Sequence, residues 1–283
     1  MAKTNFSFLE IVPDLASMVF VDVGAAPTSK PAFFQNLADR NRATVIGFEP
    51  DTAACEKMNA RARFGSIFHP VFIGRGGPAK FYETTFGYTS SLYPPNIKLA
   101  ERFSNLADYV AVKQIFDVQT HRLDDVVGGA NIDFLKIDVQ GGELDVLLGA
   151  ERLLARTLLV QTEVEFLPMY ENQPLFADVD AHMRARGFQF HTFTNFGKLF
   201  YAPVVDPKTP LAGHNQILWS DAVYIPDPAR FDTLSHEDLL KLVTLLHDLY
   251  QSFDLCLYIL GKMQSRGLAA PIEAYMKALG ASA

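Results

Sequence analysis

Five carboxylates stand where apolar runs of strand length come to an end. Asp22 and Gly24 close "MVFVDVG" (18–24), with Ala25 and Ala26 beyond, and Glu49 closes "ATVIGFEP" (43–50). Asp138 ends "IDFLKID" ahead of the turn "VQGGE", and Glu163 and Glu165 end "TLLVQTEVEF" (157–166). An acid at the end of a run as apolar as "FLKI" faces a cleft or costs stability. Glu163 and Glu165 are two residues apart, which puts both on one face of a strand and invites a raised pKa or a shared proton. Small residues after the first run let backbone approach a ligand closely, and the helix that follows presents free N–H groups. A glutamate about 25 residues further on can accept hydrogen bonds from both hydroxyls of a ribose. Together these features point to a cofactor containing adenosine.

Missing glycines narrow the cofactor further. A pyrophosphate grip needs G-x-G-x-x-G. Residues 24–29 read Gly-Ala-Ala-Pro-Thr-Ser, and the proline removes a donor. S-adenosyl-L-methionine carries ribose and adenine but no phosphate, and it tolerates such a turn. Candidate bases for activating an acceptor are Asp138, Glu163, Glu165 and His191. No spacing of ligands points to a metal site, although acids around Asp138 would be its natural place.

The elements that must position these groups follow from periodicity. Short apolar runs at 18–24, 43–50, 66–74, 132–138 and 157–166 alternate with helical patterns at 30–40, 51–63, 143–156 and 175–188. That alternation predicts βαβ units and a parallel sheet covered on both faces. "FQFHTFTNF" (188–196) and "QILWSDAVYI" (216–225) have no helix between them and predict an antiparallel edge hairpin, joined by a long loop that covers the site. Residues 110–127 alternate as a half-exposed strand does. "IPDPAR" (225–230) marks a boundary, and 234–263 form one long helix or two, with Ser235 and Asp238 as a capping box. Its apolar residues cover more than one face, so it packs on its own sheet or on a second copy.

Three pieces of this chain, "VDVGA", "GFEPD" and "TSSLY", followed by "LDDV" and "IDFLKIDVQGGELDVLLGA", resemble the FkbM family of class I S-adenosylmethionine-dependent methyltransferases. "EVEFLPMYENQPLFADVDAHMRARGF" continues the resemblance, which covers roughly residues 18 to 226. It implies an α/β, Rossmann-like class I methyltransferase fold: a mostly parallel seven-stranded sheet with an antiparallel C-terminal hairpin. The methyltransferase domain would span 1–226, and 227–283 would be a C-terminal helical extension and possible oligomerisation element. The implied activity is O-methylation of hydroxyls on sugars, glycans or polyketide-like acceptors. Carried over by position, Asp22, Gly24 and Ala25 flank the methionine moiety and Glu49 holds the ribose. Phe72, Ile73 and Gly74 border the adenine, Ser90 and Ser91 line the cofactor or acceptor side, and Asp138 lies close to the transferring methyl. The chain departs from the family pattern at Ala26-Pro27-Thr28-Ser29, where a polar residue and another glycine are usual.

Composition sets the outer limits. The chain has 283 residues, 49% of them hydrophobic, with 25 Lys and Arg against 32 Asp and Glu for a formal charge of −7. An acidic chain without a basic cluster is expected to bind a small molecule or glycan rather than nucleic acid. The two cysteines, Cys55 and Cys256, have no CxxC or histidine partner and predict buried thiols. No run approaches 20 apolar residues and the first fifteen hold no continuous apolar segment, so a cytoplasmic protein without a transmembrane segment is expected. The C-terminal helices predict a homodimer. The alternatives to a methyltransferase are an NAD-dependent oxidoreductase on a Rossmann fold and a non-catalytic methyltransferase-like scaffold.

Overall fold

Alternation of side chains along each buried strand divides the apolar residues between two faces. In the run 18–23, Met18 and Phe20 point one way and Val21 and Val23 the other, and all four are buried. The computed structural model describes residues 6–26, 32–63, 65–205 and 212–280. Its strands are β1 (Met18–Val23), β2 (Ala43–Phe48), β3 (Ile67–His69), β4 (Phe72–Ile73), β5 (Gly77–Thr84), β6 (Val112–His121), β7 (Phe134–Ile137), β8 (Leu159–Glu165), β9 (Phe188–Lys198) and β10 (Ile217–Pro226). Seven of them form one sheet in the order β3-β2-β1-β7-β8-β10-β9. β1, β2, β3, β7 and β8 pair in parallel, whereas β10 runs antiparallel between β8 and β9. This is the parallel sheet with an antiparallel edge hairpin that the pattern of runs predicts, and the Rossmann-like class I methyltransferase sheet that the resemblance implies.

Helices cover both faces. They are α1 (Gln35–Asp39), α2 (Thr52–Asn59), α3 (Ile97–Ala100), α4 (Leu106–Tyr109), α5 (Leu123–Val126), α6 (Glu143–Leu148), α7 (Glu151–Leu154), α8 (Phe176–Ala185), α9 (His236–Tyr250), α10 (Phe253–Ser265) and α11 (Ile272–Ala278). One face of the sheet buries Val21, Leu135, Val160 and Tyr224 against Val146 and Leu147 of α6, Leu153 of α7 and Met183 of α8. The other buries Phe20, Phe134, Leu159 and Val223 against Leu239, Leu242 and Leu246 of α9 and Ile259 of α10. Each such leucine taken out of water contributes about 2 kcal/mol.

Two expectations are corrected here, and one left open is decided. The run 66–74 is not one strand. Pro70 cannot donate to a ladder, and the chain leaves the large sheet after β3 to enter a second one as β4. That second sheet has the order β4-β6-β5 and takes in the half-exposed strand predicted near 110–127, which ends at His121 before α5. Residues 234–263 are two helices, broken at Gln251, whose left-handed backbone (φ +55°) ends α9. The capping box of Ser235 and Asp238 starts α9 as expected.

Segment 227–283 packs on the sheet. Its apolar residues form one core with the sheet, so Leu239, Leu242, Val243, Leu245 and Leu246 are buried within a single chain and need no second copy to cover them. Cys55 and Cys256 are free and buried. Among the described residues no helix is long and apolar enough to cross a membrane.

Candidate active site

Beyond the carboxyl ends of β1, β2 and β7, where the strand order reverses, a cleft of about 1460 Å³ opens. Asp22, Gly24, Ala25, Glu49, Phe72, Ile73, Ser90 and Asp138 line it. The residues at 27–29, which carry the departure from the family pattern, lie outside the described residues.

The centre of the cleft is an ion triad that the sequence reading passed over. Lys136 lies beside Asp22 on the neighbouring strand and two residues before Asp138, so all three side chains share one face of the sheet. Its Nζ is 3.4 Å from Asp22 Oδ1 and 3.4 Å from Asp138 Oδ2. Burial works against the ammonium, but the two carboxylates outweigh it and hold the Lys136 pKa above its usual value. Burial raises the Asp22 pKa, with Lys136 opposing it. Asp22 Oδ1 is buried and takes no hydrogen bond among the described residues. The signal for Lys136 was present in "FLKI", a charge inside a buried apolar run.

Gly24 has a reason of its own. Its φ is +79°, and a Cβ there would lie 1.8 Å from the backbone oxygen of Asp138. Only glycine lets β1 and β7 close together at this point, whatever the cleft holds. Glu49 accepts a hydrogen bond from Asp51 N at 2.8 Å through Oε1, and burial raises its pKa.

Asp138 is held from both sides. Gln140 Nε2 donates to Asp138 Oδ1 at 2.9 Å and to Glu163 Oε1 at 3.0 Å. Gln140 is fixed in turn: its carbonyl accepts from Ser91 Oγ at 2.5 Å, and its φ of +59° marks the tight turn. Ser91 is therefore buried behind the cleft rather than lining it, whereas Ser90 lines the cleft and accepts from Thr84 N through Oγ at 3.1 Å.

Glu163 and Glu165 do share a face, and Glu143 of α6 joins them, with carboxylate oxygens all within 4.8 Å of one another. This is the one grouping among the described residues with the shape of a cation site, although neutral donors already face it. Glu143 Oε1 accepts from Val139 N at 2.9 Å, Glu163 accepts from Gln140, and the Gln173 amide lies against Glu165. Burial and mutual repulsion raise all three pKa values, that of Glu143 to about 7. Glu143 thus binds a proton in the folded chain at a pH where the unfolded chain has lost it, so folding stability falls as pH rises from about 4.5 to 7. Glu143→Gln keeps an acceptor for Val139 N and removes the titration. Its stability relative to wild type, measured by urea unfolding, should improve by about 2–3 kcal/mol from pH 5 to pH 8. A difference independent of pH would show that Glu143 is ionised throughout.

Like Ser91, Glu163 and Glu165 do not line the cleft, and two more of the expected site residues lie away from it. His191 is on β9, and its Nε2 is 2.7 Å from Ser252 Oγ in the turn between α9 and α10. It pins those helices to the sheet and does not line the cleft, because its ring is turned to the α9–α10 connection. Gly74 does not line the cleft either: its carbonyl packs against Gly149, where a Cβ would come within 2.2 Å of it. The connection between β9 and β10 brings His214 onto the Phe200 ring, at 5.0 Å between centroids. Missed altogether were Gln161, Asn195 and Asp221, which line the cleft on the side of β8, β9 and β10.

The comparisons with known proteins agree with this architecture. The methyltransferase FkbM domain matches residues 22–190. The 2-O-methyltransferase NoeI of Sinorhizobium fredii is 30% identical over 174 residues, spanning 57% of this chain and 70% of that protein. Among solved structures, a candidate methyltransferase from Thermoplasma acidophilum overlaps 80% of this chain and 76% of its own at 9% identity, with a TM-score of 0.38. A variant of the 16S rRNA (adenine(1408)-N(1))-methyltransferase from Catenulisporales acidiphilia, solved with S-adenosylmethionine, overlaps 80% and 94% at 13% identity, with a TM-score of 0.36. Such loose overlaps bear on neither cofactor nor acceptor here. The domain match spans more than half of the chain and includes Asp22, Lys136 and Asp138, and on that ground this protein is a methyltransferase of the FkbM family.

Proposed function

We propose that the protein moves a methyl group from S-adenosyl-L-methionine to a hydroxyl of a sugar, glycan or polyketide-like acceptor. The observation that carries this reading is Asp138, a carboxylate at the centre of the cleft with a side chain about one third exposed, held by Lys136 and Gln140. The cofactor fits the residues present. Asp22 offers a buried carboxylate whose Oδ1 is in ion-pair distance of Lys136 but makes no aligned hydrogen bond, leaving it able to take the ammonium of a methionine moiety as well. Glu49 lies at the end of β2 to take the ribose hydroxyls, and Phe72 and Ile73 supply an apolar border for adenine. When bound, S-adenosylmethionine supplies a methyl group on a sulfonium centre.

The chain's own contribution is alignment and proton acceptance. Asp138 orients the acceptor hydroxyl and takes its proton as the oxygen becomes bonded to carbon. Gln140 keeps one carboxylate oxygen of Asp138 engaged and so fixes its plane. Lys136 keeps the carboxylate paired in a partly buried place. The exposed part of Asp138 lets the proton leave to water. The net negative charge of the chain favours a neutral acceptor over a nucleic acid.

Titration calorimetry tests the cofactor. S-adenosylmethionine should bind and NAD should not. Glu49→Ala should weaken S-adenosylmethionine binding roughly 10- to 100-fold, the loss of charged hydrogen bonds worth about 1.5–3 kcal/mol. Unchanged affinity in Glu49→Ala would remove Glu49 from the site, and tight NAD binding would revive the oxidoreductase reading.

A further inference from the structure

The cleft is larger than the ~300–1,000 Å³ usual for one ligand, and its half farthest from Glu49 has a polar wall with no part in holding the cofactor. Asp221 of β10, Gln161 of β8 and Asn195 of β9 make that wall. Asn195 Nδ2 donates to Asp221 Oδ2 at 2.7 Å, and the Gln161 amide lies beside the same carboxylate. Tyr250 OH, at the end of α9, donates to Gln161 Oε1 at 2.7 Å and fixes which way that amide faces.

The wall is built by a local irregularity. The ladder between β9 and β10 slips on either side of Trp219, and Asn195 has a left-handed backbone with φ +52°. Such bulges re-aim side chains beside functional sites. Here the slip brings an amide from the edge strand onto a carboxylate one strand further in.

Asp221 lies opposite Glu163 on β8, and β8 separates it from β7. At ~4.8 Å per strand, the backbones carrying Asp138 and Asp221 stand about 10 Å apart, with Glu163 on the strand between them, so a six-membered ring lying over β8 would span the two side chains. Phe33, exposed over 42% of its surface, adds an apolar wall beside them, its ring set edge-on to Tyr250 and Phe134. The aromatic residues at 93, 170, 193, 196 and 219 do not line the cleft.

We propose that Asp221, oriented by Asn195 and Gln161, binds a second hydroxyl of the acceptor and thereby selects which hydroxyl meets Asp138. The acceptor is then a polyhydroxylated ring rather than a mono-alcohol. This assignment rests on the O-methyl transfer reading above. Carboxylate and amide groups around Asp221 suit neutral hydroxyls, each of which can donate to the acid and accept from an amide.

The test uses the full chain, S-adenosylmethionine labelled in its methyl group, a panel of methyl pyranosides, and cyclohexanol as the mono-alcohol. Wild type should label at least one pyranoside and leave cyclohexanol untouched. Asp221→Asn should raise the acceptor KM at least tenfold, with the loss on KM rather than kcat and with S-adenosylmethionine affinity unchanged. Asn195→Gly, which relieves the left-handed backbone, should shift KM the same way by less. An unchanged KM in Asp221→Asn, equal labelling of cyclohexanol, or S-adenosylmethionine binding with no pyranoside labelled would each overturn the proposal. A chain that fails to bind S-adenosylmethionine at all would instead overturn the cofactor reading on which it rests.

Discussion

Asp138→Asn is expected to lower kcat by about 10²–10⁴-fold, the usual contribution of a positioned base. The substitution is nearly isosteric. Its side-chain oxygen can still accept from Gln140 Nε2, which now donates to Asp138 at 2.9 Å, so the turn "VQGGE" keeps its support. What is lost is a group able to take a proton from the acceptor. S-adenosylmethionine affinity should change by less than tenfold, because Asp22 and Glu49 remain. The measurement is single-turnover methyl transfer beside calorimetry of cofactor binding. Full activity in Asp138→Asn would mean that alignment alone suffices and that the proton leaves by another route. A fall in cofactor affinity as large as the fall in rate would make Asp138 a binding group rather than a base.

Lys136→Met should cost about 3–5 kcal/mol of folding stability, the range for removing one partner of a buried charge pair. Lys136 is the ammonium within ion-pair distance of both Asp22 and Asp138, and Asp22 is almost completely buried. Methionine fills the stem's volume but leaves the Asp22 carboxylate with burial and the Asp138 charge against it, both of which push its pKa upward. The variant should therefore regain stability as pH falls toward the range where Asp22 protonates. Lys136→Met combined with Asp22→Asn should recover much of the loss, since the uncompensated charge is gone. Urea unfolding at pH 7 and at pH 5 measures both effects. A loss below 1 kcal/mol at pH 7 would show that water solvates these carboxylates well enough to make the pairing incidental.

Much of the large sheet was readable from local pattern. Alternation of apolar runs with helical periods identifies β1, β2, β7 and β8, and the missing helix between 188 and 225 identifies the hairpin, because a strand's period and a turn's chemistry are properties of a few neighbouring residues. Strand ends followed from the same runs, so Asp22, Glu49 and Asp138 could be placed at one edge of the sheet before any contact was known. The split at Pro70 was visible only in part. A proline interrupts a ladder, but nothing local says that the chain then changes sheets.

Site chemistry depends on register and crossover order, which are not local. Lys136 reads as one polar residue in an apolar strand until β1 and β7 pair and put Asp22 beside it. Glu143 reads as a first-turn acid of α6 until the turn at Gln140 and Gly141 folds it onto Glu163 and Glu165. His191 reads as a free base on a strand until the α9–α10 turn meets it through Ser252. The helices beyond 234 carry too much apolar surface to stand alone, which the sequence states plainly; that the surface belongs to their own sheet follows only from the size of the uncovered face that β1, β7, β8 and β10 leave for them. Residue types thus announced acids at strand ends and a first turn without the glycines of a pyrophosphate grip. Pairing of distant strands decided which acids a lysine bridges, which three crowd together, and that Asp221 joins the cleft, because a side chain's charge state depends on neighbours that the chain brings together from far along its length.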